Sequence, residues 1–432
     1  MRYQHLSLSG ENLDRNKRNY MKMYYVMDEV LQLINKNFVS LDNEDIKGTN
    51  RLLHTTLNKM VEYMKEDPIF KLLYIDNYFG GSFYDKLKVE KPDEFDIDFV
   101  FSLPECETCK IKKCRCITLK TSNTTGFLCF KIKKNCCTPV YKNFVRNGYM
   151  QTNLIFNWIK SLIMKAISKV NAEQKRNNSR RKTHVSLYSE CAPAVKICIK
   201  NKKYKFHIDL APAFQFDQSY WPKGGFKKNP SSTEQFSVVP MSPRDQYDYW
   251  RPSFQAQEKK IIANKERMKP ALRLLKKMKS NRTHQISSYA LKTLIMEEAD
   301  NVEWSEMSLG ESFMLLLEKY IDALQDGHIW YYWNTKVNLL GYLKKKTVQN
   351  HLNEILKIYC KVIQEYEDNP IVIAELILKK DSKEYRKFIN LWNRRQLQNG
   401  IPNGNNDIYL VAFDSFSEIF LSRLTLANKH CR

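Results

Sequence analysis

Residues 78–100 read YFGGSFYDKLKVEKPDEFDIDFV, and two patterns in this stretch decide the fold. The first is a glycine turn that ends in Ser82, and the second is an acidic strand that begins twelve residues later. In that strand Glu94, Asp96 and Asp98 alternate with apolar residues. A period of two places the three carboxylates on one face of a β-strand and the apolar side chains on the other. Because a row of like charges repels itself, the pattern predicts a strand that binds a cation.

The chemistry of the two patterns points in one direction. Carboxylate oxygens are ligands that Mg²⁺ and Mn²⁺ prefer, and glycine lets backbone N–H groups approach a phosphate closely. A Gly-Ser turn followed about a dozen residues later by an acidic-x-acidic strand resembles the signature of the DNA polymerase β-like nucleotidyltransferases. The alternative interpretation is a half-exposed edge strand with solvated charges. Three aligned acids beside a glycine turn favour the nucleotidyltransferase.

Composition narrows the class of protein. The chain has 432 residues, 43% of them hydrophobic, which suits a packed globular protein of two lobes. Lys and Arg number 70 against 47 Asp and Glu, so the net charge of +23 predicts a surface that attracts nucleic acid or an anionic membrane. No apolar run is long enough to predict a membrane span. The eleven cysteines, with no secretory signal, predict reduced thiols or metal ligands in a cytoplasmic protein.

Hydrophobic periodicity predicts the domain organisation. Apolar residues at three- and four-residue spacing predict helices over Asn16–Phe38, Glu44–Lys65 and Thr152–Val170, and helical periodicity dominates the C-terminal part. The predicted fold is α+β and bilobal. Residues 1–250 would form a long N-terminal spine helix and a nucleotidyltransferase core with a twisted β-sheet, and residues 251–432 a C-terminal helical-bundle lobe.

A group of cysteines lies between strand-like segments, in the sequence CETCKIKKCRC. Four thiols at this spacing could close a tetrahedral zinc site. The alternative is free thiols in a basic hairpin. The four candidate ligands are Cys106, Cys109, Cys114 and Cys116.

Basic residues are concentrated after the predicted helix Thr152–Val170. The sequence QKRNNSRRKTH is a loop by composition and a candidate contact for nucleic-acid phosphates, with a solvated loop as the alternative. The N-terminal helix also carries a basic flank. The cations of the loop are Lys175, Arg176, Arg180, Arg181 and Lys182.

Asp209 is an acid in an otherwise apolar strand. Ala194–Ile199 and Tyr204–Leu210 read as two strands joined by a turn that begins at Asn201. A buried aspartate there would be costly without a partner. If its strand neighbours the strand of Glu94, Asp209 supplies a third carboxylate. Three acids around two divalent cations would suit phosphoryl transfer, in which one cation activates the attacking hydroxyl and the other neutralises the leaving pyrophosphate.

Four segments together resemble the Mab-21 family, and in particular its cyclic GMP–AMP synthase-like receptors. The segments are GGSFYDKLKVEKPDEFDIDF, PAVKICIKNKKYKFHIDLAPAF, WRPSFQAQEKKII and SSYALKT, in the order seen in that family. The resemblance covers about residues 15–365 and leaves the C-terminal tail outside it.

The resemblance implies site residues. Glu94, Asp96 and Asp209 match the family's metal carboxylates, and Asp98 ranks below them because vertebrate members can carry an apolar residue there. The chemistry of the strand alone does not separate the pair Glu94/Asp96 from Asp96/Asp98. The residues that match the family's phosphate and base contacts are Gly81, Ser82, Arg251, Lys276, Ser288 and Tyr289.

Within that set, the assignments of Lys276 and Tyr289 rest on the resemblance most directly. Lys277 or Arg273 could hold the place of Lys276. The ring of Tyr289 would offer a stacking surface for a base, which the residue alone would not predict, since a core tyrosine is the ordinary reading.

One departure from the vertebrate pattern matters. The DNA-sensing vertebrate members carry a His/Cys zinc insertion, but Gln255–Lys276 contains neither residue type. The chain therefore resembles the invertebrate receptors, several of which respond to double-stranded RNA. The resemblance implies an RNA-activated enzyme that converts ATP and GTP into a cyclic dinucleotide for a STING-type receptor, and that could dimerise on its ligand.

Three alternatives stay open: an inactive Mab-21 scaffold, a transferase that makes a linear oligonucleotide, and a basic face that binds anionic lipid. The sequence does not give the base order or the linkage of a product.

Overall fold

The chain is described by a computed structural model in which two compact units are present. The sheet unit contains residues 41–263 and 330–337, and the helical unit contains the described parts of 1–40, 264–329 and 338–432. The structure describes residues 26–104, 116–133, 140, 142–176, 183–228, 235–243, 246–265, 267–365 and 369–398.

The strands of the sheet unit follow the alternation of the sequence. They are β1 (Tyr74–Gly80), β2 (Glu94–Phe101), β3 (Ile117–Thr121), β4 (Leu128–Ile132), β5 (Val145–Arg146), β6 (Tyr149–Met150), β7 (His184–Cys191), β8 (Ala194–Lys200), β9 (Lys205–Phe216), β10 (Phe236–Val239) and β11 (Tyr249–Ser253). On β2, Phe95, Ile97 and Phe99 are buried while the acids between them are half-buried, so the predicted two-faced strand is confirmed.

These eleven strands form one mixed sheet within the described part of the chain. The main path runs β1-β2-β9-β10-β11-β4-β6-β5, with β3 beside β4, β8 beside β9 and β7 beside β8. β2 and β9 are parallel, whereas β1 is antiparallel to β2 and β8 is antiparallel to β9. β9 is therefore flanked by β2 on one side and by β8 and then β10 on the other.

The sheet unit also contains α-helices that pack around this sheet. They are α2 (Asn43–Met64), α3 (Pro68–Leu73), α4 (Gly81–Tyr84), α5 (Thr152–Arg176) and α6 (Gln255–Ile261). α2 begins where the Asp42 carboxylate accepts hydrogen bonds from the backbone N–H groups of Glu44 and Asp45, at 2.9 and 3.0 Å. Against the sheet, the rings of Phe70, Phe99 and Trp158 pack together.

α5 extends beyond its predicted end. The prediction ended this helix at Val170 and treated Lys175 and Arg176 as loop residues, and it is wrong there because the helix continues to Arg176. Two interactions stabilise the extra turn. Glu173 accepts a hydrogen bond from Lys59 of α2 at 2.6 Å, and the cations in the last turn interact favourably with the C-terminal end of the helix dipole.

A short hairpin interrupts the C-terminal region that helical periodicity had dominated. β12 (Trp330–Tyr331) pairs with β13 (Asn334–Asn338), and residues 330–337 belong to the sheet unit. Trp333 explains the attachment, because its indole N–H donates to Glu258 at 3.1 Å and its ring packs against Phe254. The aromatic run at this point suits a strand, which the sequence analysis missed.

The helical unit contains α1, which is described over 26–34, followed by a π-helical turn at Asn35–Val39. Its other helices are α7 (Met268–Asn281), α8 (Ser288–Glu298), α9 (Leu309–Asp326), α10 (Lys345–Glu365), α11 (Val372–Leu378) and α12 (Lys383–Gln398). The Asp28 carboxylate accepts hydrogen bonds from the first N–H groups of α9, which ties α1 to that helix end.

The predicted α+β architecture, with a twisted sheet core and a C-terminal helical lobe, is confirmed. None of the helices in the described ranges has the length and apolar character needed to cross a membrane.

Candidate active site

Four neighbouring strands bring a row of site residues into register. Gly80 of β1 pairs with Asp96 of β2, Asp96 pairs with Asp209 of β9, and Asp209 pairs with Lys196 of β8. The strand of Asp209 therefore lies beside the strand of Glu94 and Asp96, as the prediction for Asp209 required. We call Glu94, Asp96 and Asp209 the acidic row.

The glycine turn lies directly against this row. α4 follows β1 without a loop, and Gly81 adopts a left-handed backbone conformation with φ of 69°. A Cβ at this position would collide with the carboxylate of Asp96, so only glycine allows the turn to approach the acid. Ser82 is half-buried in α4, and its carbonyl accepts a hydrogen bond from the N–H of Leu87 at 2.7 Å.

Two lysines contact the outer members of the acidic row. The Lys196 ammonium lies 2.7 Å from Oε1 of Glu94 and 3.2 Å from Oδ2 of Asp209. The Lys88 ammonium lies 3.3 Å from Oε2 of Glu94 and 3.0 Å from Asp93. Burial alone would raise the pKa of Glu94, but the hydrogen bond from Lys196 and the charges of both lysines leave that pKa below its ordinary value.

The pKa values of Asp96, Asp98 and Asp209 are shifted in the opposite direction, upward. Burial, together with the charges of Asp209 and Glu94, raises the pKa of Asp96 to about 6. Burial and the charge of Asp96 raise the pKa of Asp98 to about 7, although Gln255 of α6 donates a hydrogen bond to its carboxylate at 3.0 Å. Burial also raises the pKa of Asp209 against the opposing effect of Lys196. The row therefore holds more negative charge than its own lysines neutralise.

The donor set suits a hard divalent cation. Among the residues that the structure describes, no group of three or more His, Cys, Asp or Glu side chains is arranged to hold a metal ion as it stands. Glu94 and Asp209 instead contact the ammonium of Lys196. The chemistry fits Mg²⁺ or Mn²⁺, since all three donors are carboxylates. Asp96 pairs directly with Asp209, Glu94 lies two residues earlier on β2, and the charges of these two neighbours help to raise the pKa of Asp96.

Comparison with known families decides the class of this site. Residues 83–264 match the Mab-21 protein nucleotidyltransferase domain, and residues 267–357 match the Mab-21 protein HhH/H2TH-like domain. The chain belongs to the Mab-21 family. Its sheet unit thus carries a nucleotidyltransferase domain, and the acidic row lies inside the matched range.

Similarity to individual proteins extends over most of the chain. A cyclic GMP-AMP synthase-like receptor of Tribolium castaneum is 35% identical over 84% of this chain and 94% of its own length. Proteins of the same name from Aethina tumida and Nicrophorus vespilloides are 32% and 29% identical, over 88% and 82% of this chain and 99% and 97% of their own lengths. The resemblance to these receptors that the motifs predicted is confirmed.

Arg251, a predicted nucleotide contact of the Mab-21 fold, lies in the same sheet as the acids but outside their row. Arg251 belongs to β11, two strands beyond β9, and pairs with Val239 of β10. Its guanidinium donates to the sulfur of Met241 at 3.3 Å. The side chain is half-buried. Its role as a nucleotide contact stays a prediction.

Lys276, Ser288 and Tyr289 belong to the helical unit. Lys276 and Tyr289 are half-buried on α7 and α8, and Ser288 is the exposed first residue of α8. The backbone there is fixed by Ser287, whose hydroxyl accepts a hydrogen bond from the N–H of Ala290 at 3.1 Å. Their contacts with nucleotide stay predictions.

The two alternatives to Lys276 contact other residues of the helical unit. Lys277 is 2% exposed and its ammonium lies 2.8 Å from Glu384. Arg273 is half-buried and its guanidinium contacts the Asn35 side chain at 3.4 Å. A buried, ion-paired lysine is a poor phosphate contact, so the geometry argues against Lys277.

Two predicted features fall mostly outside the described residues. Cys106, Cys109 and Cys114 lie there, while Cys116 is buried, so structural zinc stays a prediction. Lys175 and Arg176 are exposed at the end of α5. Outside the described residues are also the other loop cations, Arg180, Arg181 and Lys182.

Sequence reasoning missed Lys88, Lys196 and Gln255. A signal for Lys196 was available, because the turn that joins β8 to β9 fixes their register and places residue 196 opposite Asp209. Lys88 lies six residues before Glu94, in the loop between the two motifs, with no periodic pattern to mark it. Gln255 contacts Asp98 across 157 residues of sequence, and no local pattern predicts such a contact.

Proposed function

We propose that this protein is a nucleic-acid sensor that, on binding double-stranded RNA, joins ATP and GTP into a cyclic dinucleotide of the cyclic GMP–AMP type. The observation that carries the proposal is the acidic row: Glu94 and Asp96 on β2, with Asp96 paired to Asp209 of β9, beside the glycine turn of a nucleotidyltransferase domain. The relatives named above support the same class of reaction.

The three carboxylates would hold two divalent cations, Mg²⁺ or Mn²⁺. Bound there, these cations would neutralise the charge of the triphosphate and make the attacking hydroxyl more acidic. The chain's own contribution is position. The close approach of Gly81 to Asp96 would hold a phosphate beside the carboxylates, with Ser82 as a further donor.

Nucleotide orientation would come from the remaining predicted contacts. Arg251 and Lys276 would contact phosphate or base, as would the hydroxyl of Ser288. Tyr289 would stack on a base, since an aromatic ring provides contact area at low entropic cost. A 2′- or 3′-hydroxyl of one nucleotide would attack the α-phosphate of the other and release pyrophosphate. The linear intermediate would then be held for a second attack, which releases the second pyrophosphate and closes the ring.

The choice of double-stranded RNA as activator rests on charge and on a missing insertion. A net charge of +23 favours binding to a polyanion, and Gln255–Lys276 contains no cysteine or histidine for a zinc insertion. RNA duplexes are bound mostly through phosphates and 2′-hydroxyls, which suits exposed cations such as Lys36, Lys175 and Arg176. A STING-type receptor would read the product, and the bound duplex would bring two copies of the enzyme together.

The test is incubation of the full chain with Mg²⁺ or Mn²⁺ and all four nucleoside triphosphates. Parallel reactions contain no nucleic acid, duplex DNA or duplex RNA, and products are resolved after phosphatase treatment. A phosphatase-resistant product that depends on RNA and on Asp209 would support the proposal, with Asp209→Asn as the control.

Other outcomes select other functions. A product with DNA alone would keep the enzyme and overturn the choice of RNA, and a phosphatase-sensitive oligonucleotide would indicate a linear transferase. Tight RNA binding with no product under any condition would indicate an inactive Mab-21 scaffold.

A further inference from the structure

Lys196 places a cation inside the acidic row, where the proposed reaction needs divalent cations. Its ammonium lies 2.7 Å from Oε1 of Glu94 and 3.2 Å from Oδ2 of Asp209. Both distances are those of charge-assisted hydrogen bonds or close ion pairs. One lysine therefore joins two of the three carboxylates that were predicted to hold metal.

The position of Lys196 follows from strand register. β8 and β9 are antiparallel and pair Lys196 directly with Asp209, which in turn pairs with Asp96. The neighbours Val195 and Ile197 are fully buried on the opposite face of β8. Residue 196 thus faces the acids and adds nothing to the apolar core, so its identity is free to serve the site.

A divalent cation held by Glu94 and Asp209 would need the same oxygens that the ammonium now contacts. Two cations at neighbouring positions repel each other, and a carboxylate oxygen already in a short ion pair is a weaker ligand. The lysine side chain is long and flexible, so its ammonium is able to leave while its backbone stays in the sheet.

We propose that Lys196 is the counter-ion of the acidic row and competes with the first divalent cation that binds there. This inference rests on the proposed function. In the free protein Lys196 holds Glu94 and Asp209 beside each other. When the cation binds, the ammonium moves from these carboxylates to the phosphates of the incoming nucleotide. Metal and nucleotide therefore bind cooperatively, and metal alone binds weakly.

The test is Mn²⁺ affinity of the nucleotide-free full chain, measured from the electron paramagnetic resonance signal of free Mn²⁺. Replacing the ammonium by a neutral chain of similar length, Lys196→Met, should tighten Mn²⁺ binding by about tenfold. Adding a non-hydrolysable ATP analogue should tighten Mn²⁺ binding in the wild type more than in Lys196→Met. Lys196→Arg keeps the charge and should behave as the wild type.

Two further variants fix the interpretation. Lys200→Met removes an exposed lysine of the same strand that pairs with Lys205, and it should leave the affinity unchanged. Asp209→Asn should weaken Mn²⁺ binding, which shows that the signal reports this site. Equal or weaker binding by Lys196→Met, with Asp209→Asn still defective, would overturn the competition and leave the metal site standing. Binding that is indifferent to both changes would overturn the metal site as well.

Discussion

The two units each gather ionisable side chains, but they balance the charges in opposite ways. In the sheet unit Asp96 lies between other carboxylates, and its pKa rises to about 6. In the helical unit a cluster around the buried His284, which we call the His284 cluster, surrounds its one acid with partners. Its members are Arg282, His284, Tyr320, His351 and Glu354.

The contacts of the His284 cluster show how a structural group is satisfied. The two ring nitrogens of His284 lie 3.0 Å from the Tyr320 hydroxyl and 3.1 Å from the Glu354 carboxylate, and the same carboxylate lies 3.7 Å from Arg282. Burial and the neighbouring His351 lower the pKa of His284 to about 4. The ring is therefore neutral at neutral pH, and one carboxylate faces one guanidinium.

This difference distinguishes a group of side chains that serves a function from one that stabilises the fold. A buried polar group that serves the fold is paired, because an unpaired one costs stability. The acidic row retains charge that its lysines do not cancel, which is what a site for divalent cations requires and what a structural cluster avoids.

The largest effect is expected from Asp96→Asn. Removing the central carboxylate should lower the rate of product formation by about a thousandfold or more, because the cations would lose a shared ligand. The thermal midpoint at pH 8 should stay the same or rise, since the change also removes an unbalanced charge. The matched control is Asp76→Asn on β1, where the side chain is exposed. A variant that keeps a tenth of the activity would remove Asp96 from the metal site.

A second effect compares two glycines with nearly the same φ angle. Gly81 and Gly327 have φ of 69° and 70°, but a Cβ on Gly81 would strike Asp96 whereas one on Gly327 would meet nothing within 4 Å. Gly327→Ala should cost about 1 kcal/mol of unfolding free energy for the left-handed backbone. Gly81→Ala should cost about 3 kcal/mol, because displacing the carboxylate adds to the same backbone strain.

Chemical denaturation measures both costs, and product formation measures whether the acidic row has moved. Gly81→Ala should lower activity about a hundredfold, while Gly327→Ala should leave it unchanged. Equal stability losses in the two variants would mean that the glycine turn does not press on Asp96.

The sequence predicted those features of the acidic row that local patterns determine. Period-two alternation places Glu94 and Asp96 on one face, and the apolar strand around Asp209 suggested a neighbour for them. That the strands are parallel and adjacent depends on the order of the whole sheet, which no single segment specifies. The His284 cluster brings the turn after α7 together with residues of α9 and α10, more than thirty positions away, so no local pattern in the sequence predicts its contacts.

A third effect removes the organising ring of the His284 cluster. His284→Ala should lower the unfolding free energy by about 2 kcal/mol, because Tyr320 and Glu354 lose a buried partner. Mn²⁺ affinity of the sheet unit should not change. Urea denaturation and the Mn²⁺ titration measure the two quantities, with the exposed His184→Ala as control.

The stability of the wild type and of His284→Ala should depend differently on pH. Since the folded pKa of His284, about 4, lies below the ordinary value of 6.5, the folded state favours the neutral ring. This contribution to stability is complete above pH 6.5 and is lost as pH falls from there toward 4. The wild type should lose stability over that range more steeply than His284→Ala, and parallel curves would contradict the pairing.

The last effect has the opposite sign and comes from Asp98→Asn. The folded pKa of Asp98, about 7, lies above its ordinary value of 3.8, so the ionised carboxylate destabilises the folded protein as pH rises. Asparagine has the same shape, retains an acceptor for Gln255 and carries no charge. We expect a gain on the order of 2 kcal/mol at pH 8, which shrinks as pH falls to 5.

The same variant decides which carboxylates form the site. If Glu94 and Asp96 are the ligands from β2, Asp98→Asn should keep product formation within about tenfold of the wild type, because Asp98 is engaged by Gln255 rather than by the row. A stabilised but inactive variant would instead assign Asp96 and Asp98 as the pair. In that case Glu94 and its two lysines would stabilise the fold rather than bind metal.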